Sequence, residues 1–211
     1  MSTTHALVGA LVGAGLVGSG RVDIAPLATL ILLPLLFSPL VAALLGAIAY
    51  LGLRRAGLTP DHRTPALDVC HIATACAASF ARGLNDTPKV VAPLLIVPEL
   101  GLDWAFLLVA GAIALGGMTD SRNVAETLGK KVTGMDPGQG FTASLVTACL
   151  VTTASLHAMP VSTTHVSVGS LLGMGAVSGR AHWAKVGEIA LSWVATVPCG
   201  AGLAALAYAL L

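Results

Sequence analysis

Apolar runs of two lengths follow one another along this chain. The long ones suit a bilayer crossing, which takes roughly 20 helical residues. Ile24–Leu53 carries no charge and exceeds that length, so its pattern predicts tilt or a kink near Pro34 and Pro39. Ile189–Leu211 is likewise uncharged. Pro65–Ala81 and Gly140–Met159 read as spans with isolated polar residues, and Trp104–Met118 is a shorter one with room to extend at either end. The short runs are Ala6–Gly18, Pro88–Pro98 and Val166–Gly179, each preceded by a polar cluster. Such a pattern predicts half-helices that enter the membrane and stop, with their irregular ends buried in protein or lining a wet cavity. The expected fold is therefore all-α: a polytopic membrane protein with inverted repeats and re-entrant half-helices. With three such segments, the basic residues of the loops fix no orientation.

The repeats are visible in the residues themselves. Ser-Thr-Thr-His occurs at Ser2–His5 and again at Ser162–His165, 165 − 5 = 160 residues apart. Residues 2–17 and 162–177 are identical at ten of sixteen positions, including Gly9/Gly169, Gly13/Gly173 and Gly15/Gly175. Low-complexity apolar sequence can match itself by chance, but it does not reproduce STTH. We divide the chain into residues 1–53, the end of a first repeat; 54–64, a polar connection; and 65–211, a second repeat. The second STTH has about 97 residues of its repeat before it, whereas Met1 aligns with Val161. Internal analogy thus predicts a first-repeat segment of roughly 100 residues upstream, separated from this chain by a misplaced start codon or a truncated gene; the alternative is a natural partial repeat.

Composition agrees with the spans. Hydrophobic residues make up 55% of the 211 and charged ones 10%, against about 25% charged in soluble domains. The net charge of +1 gives no basis for a nucleic-acid partner. Cys70, Cys76, Cys149 and Cys199 lie scattered in apolar stretches without metal or redox spacing, and read as small packing residues. Asp68, His71 and His157 read as satisfied or boundary residues within spans, and Trp104 as an interfacial anchor.

Two clusters could carry chemistry. In Pro160–His165, Pro160 ends one helix and Ser162 or Thr163 can cap the next. Helix-start N–H groups with Ser162, Thr163 and Thr164 hydroxyls suit a tetrahedral oxyanion, and the glycines that follow admit a close neighbouring helix. The plainer reading, caps and packing only, is weakened by the duplication. The other cluster is Arg82-Gly83-Leu84-Asn85-Asp86-Thr87-Pro88-Lys89. A carboxylate between apolar segments is costly and points to function. Asn85 and Asp86 offer hard oxygen ligands for a small cation such as sodium, and Asp86 could equally carry a proton. Lys89 lies about one turn from Asp86, so the two can pair, for structure or for function.

At these motifs the chain resembles the inorganic phosphate transporter (PiT) family of cation-coupled phosphate symporters. That family carries G-x-N-D and P-[VI]-S-T-T-H in each of two inverted repeats. Here Gly83–Asp86 and Pro160–His165 match the second repeat and Ser2–His5 the end of the first. Val124, Thr127–Gly129, Lys131, Pro137 and Gly140–Phe141 are similar to the family's connecting segment. The resemblance implies symport of inorganic phosphate, no enzymatic activity and no cofactor beyond a coupling sodium ion or proton. It implies phosphate binding by Ser162, Thr163 and Thr164 with Ser2, Thr3 and Thr4, and cation binding or coupling at Asn85, Asp86 and Lys89. It also implies a homodimer of the full-length protein in the lipid bilayer, and the expected location is a bacterial or archaeal cytoplasmic membrane. Two departures matter. A single G-x-N-D is present, which leaves a transport-inactive fragment open. Lys89 stands where the family has Asn, so its ammonium could replace a bound sodium or contact the anion. Sulfate, also tetrahedral, stays open as substrate, although an acceptor such as Asp86 favours phosphate, which can donate hydrogen bonds. A remote alternative is an intramembrane serine hydrolase using Ser162, His165 and Asp86.

Overall fold

The computed structural model describes residues 2–57, 64–127, 132 and 137–210. Parts of the polar connections, including Arg63, Leu128–Lys131 and Asp136, lie outside the described residues, as does part of the matching connecting segment. The remainder is helical: α1 (Thr3–Ser19), α2 (Ile24–Pro26) leading through a π-helical stretch Leu27–Leu32 into α3 (Leu33–Arg55), α4 (Pro65–Leu94), a short 3₁₀ turn, α5 (Leu102–Glu126), α6 (Pro137–Leu156), α7 (Thr163–Ser178) and α8 (Trp183–Ala209). Segments 27–55, 102–119, 138–156 and 183–209 are long and apolar enough to cross a membrane. Their outward faces carry exposed Leu, Ile, Val and Phe, as lipid contact demands, and the four free cysteines are also exposed rather than packed inside.

Two expected half-helices are present. At 17 and 16 residues, α1 and α7 are each about 25 Å long, short of the roughly 30 Å hydrocarbon core. Both end on a left-handed glycine, Gly20 and Gly179, whose N–H bonds back to Leu16 and Gly175. The third expected half-helix is not separate. One continuous 30-residue α4 runs through Gly83-Leu84-Asn85-Asp86 and on past Pro88 to Leu94. Pro88 forfeits one ladder bond, but Asn85, Asp86 and Lys89 anchor that stretch by side-chain bonds to other elements, and this tertiary grip overrides the local breakers. The long first span departs from α-helical geometry close to the first of these prolines: a π-type bond from Leu33 N–H to the Ala28 carbonyl lies just ahead of Pro34.

The half-helices pack crosswise, each along a transmembrane helix far from it in the sequence. Helix α1 lies along α8, and α7 along α3. Glycine makes both approaches possible. A Cβ on Gly9 or Gly13 would strike the Val197 or Ala201 carbonyl of α8, and one on Gly169 or Gly173 the Pro39 or Ala43 carbonyl of α3. Backbones this close gain dispersion contacts where no hydrophobic effect is available to join helices. Helices α4 and α6 pack together beside α3 and α7, and a small-residue core of Ala42, Ala81, Val151, Ala154, Val161 and Val166 joins them. Gly173→Ala should therefore destabilise by about 1–3 kcal/mol through overpacking. Gly202→Ala, which meets nothing within 4 Å, is the control. Thermal unfolding of the two variants in detergent checks this.

Candidate anion and cation site

Ser2 and Ser162 are the N-caps of α1 and α7. Each is extended, and each side chain accepts from the N–H three residues on, His5 or His165. The chain reaches the second cap through a sharp exit from α6. Ala158 adopts a left-handed φ of 53°, Met159 N–H bonds back to the Ala154 carbonyl, and Pro160 prevents the helix from resuming. The two caps meet: Ser2 Oγ and Ser162 Oγ are 3.0 Å apart and buried. Two helix N-termini, each carrying about +0.5 charge, thus face one spot. Exposed N–H groups and hydroxyl donors at such a spot are suited to an anion.

Helix α4 presents the second cluster to this spot. Asp86 Oδ1 accepts from Asn85 Nδ2 at 3.0 Å and Lys89 Nζ at 3.3 Å, and Oδ2 accepts from Thr163 Oγ1 at 3.1 Å. Lys89 Nζ also donates to the Val161 carbonyl at 2.6 Å and to Thr4 Oγ1 at 3.2 Å. Asn85 Nδ2 reaches the same Val161 carbonyl at 3.0 Å, and its Oδ1 accepts from Ser155 Oγ at 3.5 Å. The carboxylate, 10% exposed, and the ammonium, 14% exposed, are paired and hydrogen-bonded, as buried charges must be.

Of the sequence-predicted residues, Ser2, Thr4, Asn85, Asp86, Lys89, Ser162 and Thr163 come together. Thr3 is exposed and Thr164 half-buried, and neither bonds Asp86 or Lys89. Sequence reading missed the Val161 carbonyl and Ser155. The first has a local cause: Ser162 Oγ takes the His165 N–H that could otherwise have closed a helical turn onto Val161. The hydrolase arrangement does not form. Ser162 Oγ contacts Ser2, His165 Nδ1 bonds the Leu35 carbonyl at 2.9 Å, and Asp86 is bound to Asn85, Lys89 and Thr163. Without a base on the serine, nucleophilic chemistry has no starting point.

Known proteins are similar to this chain in sequence and in fold. The sequence profile of the phosphate transporter family matches residues 1–69 and 59–204. A probable low-affinity inorganic phosphate transporter of Rhizobium meliloti is 31% identical, the match covering 98% of this chain and 66% of that protein. A Bacillus subtilis protein of the same description is 30% identical over 100% of this chain and 67% of its own length. The sodium-dependent phosphate transporter 2 of Xenopus tropicalis is 36% identical over 60% of this chain and 21% of its own length. In fold, the chain is similar to a solved sodium-dependent phosphate transporter with a TM-score of 0.61 at 23% identity, covering 98% of this chain and 64% of that one. The chain thus spans about two thirds of the length of the two bacterial transporters. A multi-pass helical membrane protein with duplicated, serine-capped half-helices, it belongs to the phosphate transporter family.

Proposed function

We propose that this protein carries inorganic phosphate across the membrane in symport with a cation. The observation that carries the reading is the meeting of the two caps at 3.0 Å. Phosphate would enter between α1 and α7, taking hydrogen bonds from Ser2, Thr3 and Thr4 and from Ser162, Thr163 and Thr164. Its charge would offset two opposed helix N-termini. Asp86 is an acceptor within reach of Thr163, so protonated phosphate gains a partner that sulfate cannot use. Sulfate remains the competing substrate to assay. The division into residues 1–53 and 65–211 as two inverted repeats around one site belongs to this reading, as does a homodimer of the full-length protein.

Lys89 bears on the coupling ion. Its ammonium is held by a carbonyl, a hydroxyl and a carboxylate oxygen, the hard donors that a bound sodium would seek. We propose that this tethered cation weakens sodium coupling and shifts the load towards a proton, with Asn85 and Asp86 as the coupling residues. Relatives described as sodium-dependent make sodium the alternative.

Radiolabelled phosphate uptake into proteoliposomes tests both parts. Ser2→Ala and Ser162→Ala should each weaken phosphate affinity about 10- to 100-fold, the worth of one hydrogen bond to a charged group, and Asp86→Asn should abolish uptake. Absence of phosphate uptake from folded protein refutes the reading, and uptake of sulfate instead transfers it to that anion. Wild-type uptake should persist without a sodium gradient, whereas Lys89→Asn should acquire sodium dependence. Strict sodium dependence of the wild type refutes the coupling proposal.

A further inference from the structure

Four polar side chains share one face of α4. Counted from Arg82, Asn85, Asp86 and Lys89 follow at three, four and seven residues, spacings that stack along one side of a continuous helix. Three of them are engaged at the helix junction. Arg82 is not: among the described residues it has no hydrogen-bond or ion-pair partner. It is half-buried, yet its guanidinium nitrogens are not sealed inside the protein.

Local spacing offers Arg82 a partner that the structure withholds. Asp86 lies four residues on, a distance at which arginine and aspartate pair on a helix. That carboxylate is given to other donors: Oδ1 to Asn85 and Lys89, Oδ2 to Thr163. Lys89 has taken the pairing, and the Val161 carbonyl and Thr4 fix it there. Towards the start of α4 the same face carries Ala78 and Ala75, which can neither neutralise an arginine nor cover it. The next acid on α4, Asp68, is 82 − 68 = 14 residues back, about 21 Å along the axis. Two cations against one carboxylate thus leave one positive charge on this stretch uncompensated. Its place in the helix closes the ordinary escape. Arg82 is 82 − 65 = 17 residues from the start of α4 and 94 − 82 = 12 from its end, about 26 and 18 Å of helix. An arginine stem snorkels over only a fraction of such lengths. Unpaired cations do not rest against lipid, and those found within spans mark the paths of ions and substrates.

We propose that Arg82 is the outer anion contact of this site: its guanidinium binds the tetrahedral oxyanion before the anion passes to the capped helix starts. The planar fork of N–H donors matches two oxygens of a phosphate at once. Asp86, which closes the site proper through Thr163, is one turn on, about 6 Å along the axis. The inference rests on the phosphate reading and adds an order of contacts to it. Water reaches Arg82, the anion exchanges its hydration for the guanidinium there, and the hydroxyls of the junction take it over one turn further in.

Arginine-directed labelling of the reconstituted wild-type protein tests this. Hydroxyphenylglyoxal, a water-soluble reagent, modifies accessible guanidinium groups, and mass spectrometry of the Arg82 peptide reads the extent. Arg122, whose side chain is 90% exposed, serves as internal standard. Arg82 should react. Inorganic phosphate at about ten times its half-saturating concentration should slow that reaction about tenfold relative to chloride at equal ionic strength, and leave Arg122 unchanged. An Arg82 that stays unmodified while Arg122 reacts overturns the proposal, as does labelling that neither phosphate nor sulfate slows. Protection by sulfate alone keeps Arg82 as the anion contact and transfers the transport reading to sulfate. Protection by phosphate in a protein that takes up none keeps the contact and sinks the transport reading. In uptake assays Arg82→Gln should raise the KM for phosphate about tenfold with the maximal rate within about twofold, the pattern of lost binding rather than slowed translocation. Arg82→Lys, which keeps the charge without the fork, should recover part of that loss. An unchanged KM in Arg82→Gln overturns the proposal.

Discussion

Two helix starts placed nose to nose in apolar surroundings form an unstable arrangement unless something supplies acceptors for their bare N–H groups. Ser2 and Ser162 each satisfy one N–H and touch one another across the junction. Much of the remaining architecture serves to hold that junction. Glycines bring α1 onto α8 and α7 onto α3 without intervening side chains. Helix α4 then closes one flank of the junction with a paired carboxylate and ammonium. Half-helices can end in mid-protein only because these contacts replace what water would have supplied.

The charge balance of the site is instructive. Asp86 and Lys89 cancel, so the buried cluster is neutral before any ligand arrives. An anion then adds net negative charge, to which the two helix ends contribute a partial counter-charge. A mobile cation would complete the balance only if it found oxygens not already taken by the lysine. Removing one partner of such a buried pair is far costlier than removing both, which ties substitution at position 89 to the state of Asp86.

Much of this was legible in the sequence. The repeated STTH gave the two caps, the family resemblance implied that they serve one site, and the spacing of Asp86 and Lys89 allowed their pairing. Local signals misled at Gly83 and Pro88, where breakers sit inside a continuous helix because Asn85, Asp86 and Lys89 are gripped from other elements. The Val161 carbonyl was invisible because a backbone oxygen has no letter of its own; only the capping geometry of Ser162 releases it. Which helix seats which was equally hidden. Apolar periodicity marks a face as buried but does not name the partner, and glycine spacing in α7 fits any close neighbour. The hydrolase alternative failed on directions: Ser162 and His165 are near in sequence, but the serine caps the backbone while the imidazole turns to α3.

The crosswise seating of the half-helices sets an order of events during synthesis. Gly9 meets Val197, which leaves the ribosome 197 − 9 = 188 residues later. At 5–20 residues per second that is a delay of roughly 10–40 s. Throughout it, α1 has hydroxyls at one end, glycines along one face, and no groove to receive them. Helices α3, α4, α6 and α7 can associate meanwhile, since all precede α8 in the chain. Assembly of these helices therefore seats α1 only after α8 has been made, and the membrane insertion machinery must shelter α1 until then.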